Sequence, residues 1–289
     1  MSFYLGIFLA LGCAIATQLG FLYKHRGANA APKVDVAHPV RTVRELFSNK
    51  WFAIGMLVAT GAWGLHVVAM AFAPLSVVQA VLSTGVVMLA VLAERVFGFE
   101  VGLRQWVGVG LTALGLLLLG VTLPQAPGAH SHFSLPAMIS FEAGMLCFGM
   151  LLITGRQLTS VAPHHHGTLL GAAAGILFGV SDVAIKALTG LDGGFMAVLV
   201  SPWLLVTIGA SVIAFYASAR GLLDGAAVPV IAAPSTAANV SAILGGILVF
   251  GDPMPGNPLG VATQCVAFVL VIVAALLVPP PVRAAAANA

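Results

Sequence analysis

Nine apolar windows follow one another along the chain, at about 3–23, 51–73, 75–93, 105–123, 135–155, 167–189, 198–219, 227–250 and 259–278. Each holds 19–24 residues, and a helix needs ~20 to cross ~30 Å of hydrocarbon. Together they take 192 of 289 residues, and the longest connection is 24–50. No extramembrane domain fits in what is left. Only 7% of the residues are charged, against the ~25% that covers a water-soluble surface. Backbone in lipid must satisfy itself, and the ten-residue alternating segments of a barrel are absent. The predicted fold is an all-α integral membrane protein with nine transmembrane helices. The first window has no cations before it and Lys24 and Arg26 after it, so it reads as a span and not as a cleaved leader.

The net charge of +3 and pI near 9.0 would suit a nucleic-acid partner in a soluble protein. In a membrane protein the placement of the cations is what carries meaning. Lys24, Arg26, Lys33, Arg41, Arg44 and Lys50 lie in the first connection. Nine alternating spans put Arg95, Arg104, Arg156, Arg220 and Arg283 on the same side. The opposite connections, near 74, 124–134, 190–197 and 251–258, contain no Lys or Arg, and Lys186 alone lies inside a window. This segregation predicts an N-terminus outside and a C-terminus in the cytoplasm of the plasma (inner) membrane. Cys13, Cys147 and Cys265 all fall in apolar stretches and read as buried small hydrophobes.

A shift of 152 residues aligns spans two to four with the last three without a gap. Trp51 meets Trp203, Ser83-Thr84 meets Ser235-Thr236, Glu100 meets Asp252, and Gly108-Val109 meets Gly260-Val261. Lys24 and Gly27 correspond more loosely to Lys186 and Gly190. The layout is two inverted four-helix repeats joined by a linking helix: residues 1–134, a linking span in 135–166, and 167–289. Repeats displaced by an odd number of spans cross the membrane in opposite directions, an arrangement typical of transporters that alternate about a midplane site.

An ionisable side chain near mid-membrane costs ~2.5–3.5 kcal/mol on insertion scales, so each demands a reason. His66, Glu142 and Asp182 fall at one depth, ~5–6 Å to the external side of the midplane. They read either as a cation or proton site, with Asp182 and Glu142 as metal-ligating carboxylates or proton carriers, or as a structural cluster. Lys186, four residues past Asp182, shares its helix face and is its expected charge partner; near the helix end its stem can also snorkel. The eighth span carries Pro229 and Pro234, then Ser235, Thr236 and Asn239. Either it is broken at the midplane, exposing carbonyls to an ion, or it is an ordinary kinked helix. Ser83 and Thr84 are the repeat-equivalent positions of the third span, and Gln18, Gln79 and Gln264 are further polar candidates, each better suited to an interhelical hydrogen bond. Gly171, Gly175 and Gly179 form a stripe that admits a second helix, within the bundle or from another copy, so a homodimer stays open.

His164-His165-His166 sits where a cytoplasmic loop is expected, and consecutive histidines lack a chelating spacing. His130 and His132 read the same way. No phosphate-binding loop, His-Glu-x-x-His run or Gly-x-Ser-x-Gly elbow occurs. Neither an enzyme nor a nucleotide-driven pump is expected, and no cofactor or nucleic-acid partner; the expected partners are membrane lipid and a transported solute or cation.

Ala73-Pro74-Leu75 through Glu100, followed by Gly108…Gly115, resembles the repeat of the drug/metabolite transporter superfamily. The nine-span count, Gly20-Phe21-Leu22-Tyr23-Lys24 and Val183-Ala184-Ile185-Lys186-Ala187-Leu188 resemble its NIPA-type magnesium transporter branch. That pattern has Thr-Pro-Leu-Gly-Ala-Leu early in the third span, where this chain has Val78-Gln79-Ala80-Val81-Leu82-Ser83. The resemblance implies a secondary transporter of a divalent cation such as magnesium, working by alternating access. Two alternatives remain open on the residues: a proton-coupled exporter of a small metabolite or amphiphile, and a non-transporting lipid-handling or assembly protein.

Overall fold

The computed structural model describes residues 2–30, 47–85, 103–122, 131–158, 163–224 and 227–277. They form α1 (Ser2–Ala30), α2 (Lys50–Phe72), α3 (Leu75–Ser83), α4 (Leu103–Thr122), α5 (Leu135–Leu158), α6 (Pro163–Thr189), α7 (Gly194–Val200), α8 (Pro202–Asp224), α9 (Ala227–Val249) and α10 (Pro258–Leu277). Among the described residues there is no strand. The chain is an all-helical, multi-pass membrane protein. Its periphery is apolar, with Leu57, Trp63, Leu205, Ile208, Val212 and Phe215 exposed, as a surface solvated by lipid tails requires.

Among the described residues four segments are long and apolar enough to span alone: Phe3–Gly20, Lys50–Phe72, Leu135–Thr154 and Leu169–Thr189. The window at 198–219 is not one straight helix. α7 and α8 meet at a bend of 61°, because Pro202 has no N–H to continue a helix and holds Ser201 in an extended conformation (φ −73°, ψ 134°). The Ser201 hydroxyl accepts the Trp203 N–H at 3.3 Å and restarts the chain as α8. Pro74 breaks α2 from α3 by the same means, with Ala73 extended at φ −133°. α4, α9 and α10 contribute shorter apolar stretches, Trp106–Leu119, Thr236–Val249 and Pro258–Leu270. Residues 86–102, with Arg95 and Glu100, lie outside the described residues, and so does much of the third window.

α6 is the central strut, packed on α8, α9, α5 and α2. Its glycine stripe makes this possible. A Cβ at Gly175 would sit 2.2 Å from the Pro234 carbonyl of α9, and one at Gly179 would sit 2.4 Å from Ser241 Cβ. The stripe therefore serves an intramolecular contact. α9 itself runs unbroken from Ala227 to Val249 with Pro234 inside it, so the helix is not unwound at its prolines. α1 lies along α2, α4 along α10, and α3 along α9.

Three other expectations change. His164–His166 belong to the first turn of α6 and not to a loop. Cys147 and Cys265 are exposed on the outer surface, and only Cys13 is buried, because their helices turn those faces to the apolar periphery. Lys186 does not snorkel. It is fully buried, held by acceptors described below.

Candidate functional site

α1, α2, α3, α6 and α9 line a partly open cavity of about 350 Å³. α1 contributes Cys13, Thr17 and Gln18, α2 His66 beside Trp63, α3 Gln79, α6 Asp182, and α9 Asn239.

Gln79 organises the centre. Its Nε2 donates to Asp182 Oδ2 at 2.8 Å and lies 3.3 Å from His66 Nε2. An amide nitrogen has two hydrogens, so it can donate to both when His66 carries its own proton on Nδ1. One interhelical amide thus ties α2, α3 and α6 together at Asp182, which lines the cavity. Cys13 Sγ lies 3.8 Å from Thr17 Oγ1, lining the opposite wall along α1. Gln79 was legible only as an interhelical hydrogen bond; it is that, and it also presents to the cavity.

The remaining candidates lie elsewhere. Ser83 Oγ donates to the Gln79 carbonyl at 2.8 Å and Thr84 Oγ1 to the Val81 carbonyl at 2.7 Å. Both hydroxyls are absorbed by their own helix. Thr236 Oγ1 is buried without a partner and is not among the cavity-lining residues. Glu142 is 3% exposed, does not line the cavity, and both its oxygens lack a hydrogen-bond partner. It shares a depth with Asp182 by residue count but faces another direction.

Lys186 points away from the cavity. Its Nζ donates to the carbonyls of Met70 at 2.5 Å and Ala73 at 2.9 Å, the C-terminal end of α2. The acid whose charge acts on it is Asp252, and Asp182 instead accepts from Gln79. Asp252 is itself buried, and its Oδ2 accepts the Ser76 N–H at 2.7 Å, at the N-terminal end of α3. A cation therefore sits on the negative end of one helix and an anion on the positive end of the next, both at the Ala73–Pro74 break. The expected i, i+4 pair yields to this arrangement because the break frees carbonyls that only a buried donor can satisfy. Asp252 carried one sequence signal, its match to Glu100 at the fixed offset. Around the same end of the bundle, Phe133 packs edge-on against Trp203 at 5.8 Å and Phe250 at 5.9 Å.

Among the described residues no three His, Cys, Asp or Glu side chains converge on one point as a metal cage would require. The cavity offers one carboxylate, amide and hydroxyl oxygens and an imidazole around open space. Such a set suits an ion that keeps its water shell, or a small polar solute.

No protein-family model matches the chain, and no solved structure matches it. Two curated relatives do. One is a protein of Arabidopsis thaliana named "Probable magnesium transporter NIPA9", 24% identical over 279 residues, which are 94% of this chain and 80% of that protein. The other is an uncharacterized protein of Corynebacterium glutamicum, 29% identical over 186 residues, 63% of this chain and 62% of that protein. The chain is thus similar over nearly its whole length to a protein named as a probable magnesium transporter, in keeping with its multi-pass apolar helices.

Proposed function

We propose that the chain is a secondary transporter whose two inverted halves alternate about the cavity at Asp182, and that it carries a divalent cation such as magnesium with part of its water shell. The observation that carries this reading is the Gln79 bridge between Asp182 and His66, set in a cavity built from both halves. α1, α2 and α3 of the first half meet α6 and α9 of the second there. Exchange of the halves also accounts for the packing: α1 lies on α2 as α6 lies on α8, while α3 meets α9 and α4 meets α10. Asp182 supplies the charge, and Gln79, Gln18, Asn239 and Thr17 supply oxygens for the ion's water. Mg²⁺ dehydrates reluctantly and takes one or two carboxylates in place of an all-protein cage. The similarity to a protein named as a magnesium transporter favours this cargo over a small organic solute.

The nine-span topology, with the N-terminus outside in the plasma membrane, belongs to the same reading and rests on the segregation of eleven Lys and Arg residues to one side. It places Lys186, Asp252, Phe133, Trp203 and Phe250 together at the external end, which is then the closed side in this conformation. In a cysteine-free background, a cysteine at Ala129 should label from outside and one at Val36 should not; the reverse pattern sinks the orientation. Cargo is tested by uptake into proteoliposomes, comparing divalent cations with amino acids and amphiphilic cations. Selective uptake of an organic solute would replace the cation reading with the metabolite one. No uptake of any of them would favour a non-transporting role.

A further inference from the structure

The linking helix α5 carries an acid that the cavity does not use. Among its described side chains the fully buried positions are Met138, Glu142 and Gly149, spaced 4 and 7 apart and so on one face. That face is pressed on α6 and α9. A Cβ at Gly149 would meet Leu177 of α6 at 3.2 Å, and the Phe141 ring lies 3.2 Å from where a Cβ on Gly245 of α9 would be. Met138 joins the cluster of Val183, Ile185 and Ala242. Glu142 is thus fixed within an apolar seam, with both oxygens unpartnered.

Among the described residues no charge offsets it. Of the elements packed against α5, α9 carries no titratable residue and α6 carries Asp182 and Lys186. Asp182 is bonded to Gln79 and Lys186 to Met70 and Ala73, and neither is hydrogen-bonded to Glu142. The histidines that open α6 are roughly 20 Å further along that helix. An ionised carboxylate without a partner carries a large desolvation penalty in such a place, and the neutral acid does not. A hydrated ion needs room that a closed seam lacks; a proton needs none.

We propose that Glu142 is a proton-binding site separate from the Asp182 cavity, neutral in this conformation and ionised in one that admits water to the α5–α6–α9 seam. Proton binding joins one H⁺ to a carboxylate oxygen, and release returns it to water. Because α5 packs on the helix that carries Asp182 and on the helix that carries Asn239, occupancy of this site biases the same contacts that alternate during transport. This last step rests on the transport reading above and makes the transport proton-coupled.

The test treats the full-length protein in liposomes with N,N′-dicyclohexylcarbodiimide, which partitions into apolar regions and converts protonated carboxyls to stable N-acylurea adducts located by peptide mass spectrometry. The expected result is an adduct at Glu142 that falls as pH rises, is lost in Glu142→Gln and persists in Asp182→Asn. Absence of an adduct at Glu142 at every pH overturns the site, whatever the uptake shows. A second arm measures Mg²⁺ uptake with and without an imposed pH gradient. The wild type should respond to the gradient, and Glu142→Gln, a neutral isostere expected to stay folded, should take up Mg²⁺ without responding. An unchanged response in Glu142→Gln, or none in the wild type, overturns the coupling. No Mg²⁺ uptake at all overturns the magnesium reading and the coupling with it, while the adduct still decides the site.

Discussion

Asp182 and Lys186 lie one helical turn apart on α6, yet they belong to two regions built on opposite rules. At Asp182 the helices stand apart around a cavity, and the carboxylate that lines it is held by one side-chain amide. At Lys186 they close completely. The ammonium is spent on two backbone carbonyls, and Asp252 is spent on a backbone N–H. A charge beside open space can exchange its partner, whereas a charge locked on helix ends can only hold those ends together. The contrast separates a site from a fastening more sharply than burial alone.

The largest effect is expected where the fastening is cut. Lys186→Met leaves the Met70 and Ala73 carbonyls and the Asp252 charge buried without their cation, which costs about 3–5 kcal/mol. A large fall in melting temperature in detergent would follow. A variant as stable as wild type would move Lys186 out of the structural class and break the comparison.

Next in size is the seam beneath both regions. Gly179→Val adds atoms where even a Cβ would lie 2.4 Å from Ser241, and overpacking of this kind costs about 1–3 kcal/mol. Gly144→Ala, at a position with open space around it, is the matched control and should be near neutral in the same thermal assay.

Gln79→Leu comes third. It removes the donor shared by Asp182 and His66, at about 1–3 kcal/mol for the acceptors left behind, although water in the cavity can recover part of that. Its effect should fall more on cation affinity than on melting temperature. Equal loss of both would mean that the amide only braces α3 against α6.

How much of this was legible beforehand depended on which coordinate was asked for. Depth along a helix follows from residue count, so His66 and Asp182, which meet at one amide, could be placed at one level. Direction around the helix does not follow from count. Glu142, counted to the same depth, faces another seam, because the facing of α5 is set by Gly149 against Leu177 and Phe141 against Gly245, contacts that no local pattern encodes. The i, i+4 rule put Lys186 one turn from Asp182 but predicted the wrong partner, because it could not weigh the carbonyls that Pro74 frees on another helix. The glycine stripe was readable, since small residues at one face anticipate a close neighbour. Gln79 stands where the chain departs from the NIPA-type pattern, so the resemblance gave no hint of the residue that organises the cavity.

The smallest expected effect on stability carries the largest consequence for activity. Asp182→Asn keeps the side-chain volume and an acceptor for Gln79 while removing the charge that an incoming cation would meet. Initial Mg²⁺ uptake by wild-type and Asp182→Asn proteoliposomes, matched for reconstituted protein and melting temperature, is the most direct test of the cavity as the transport site. The account predicts saturable uptake in the wild type and background uptake in the variant. Wild-type rates in a folded Asp182→Asn would contradict it.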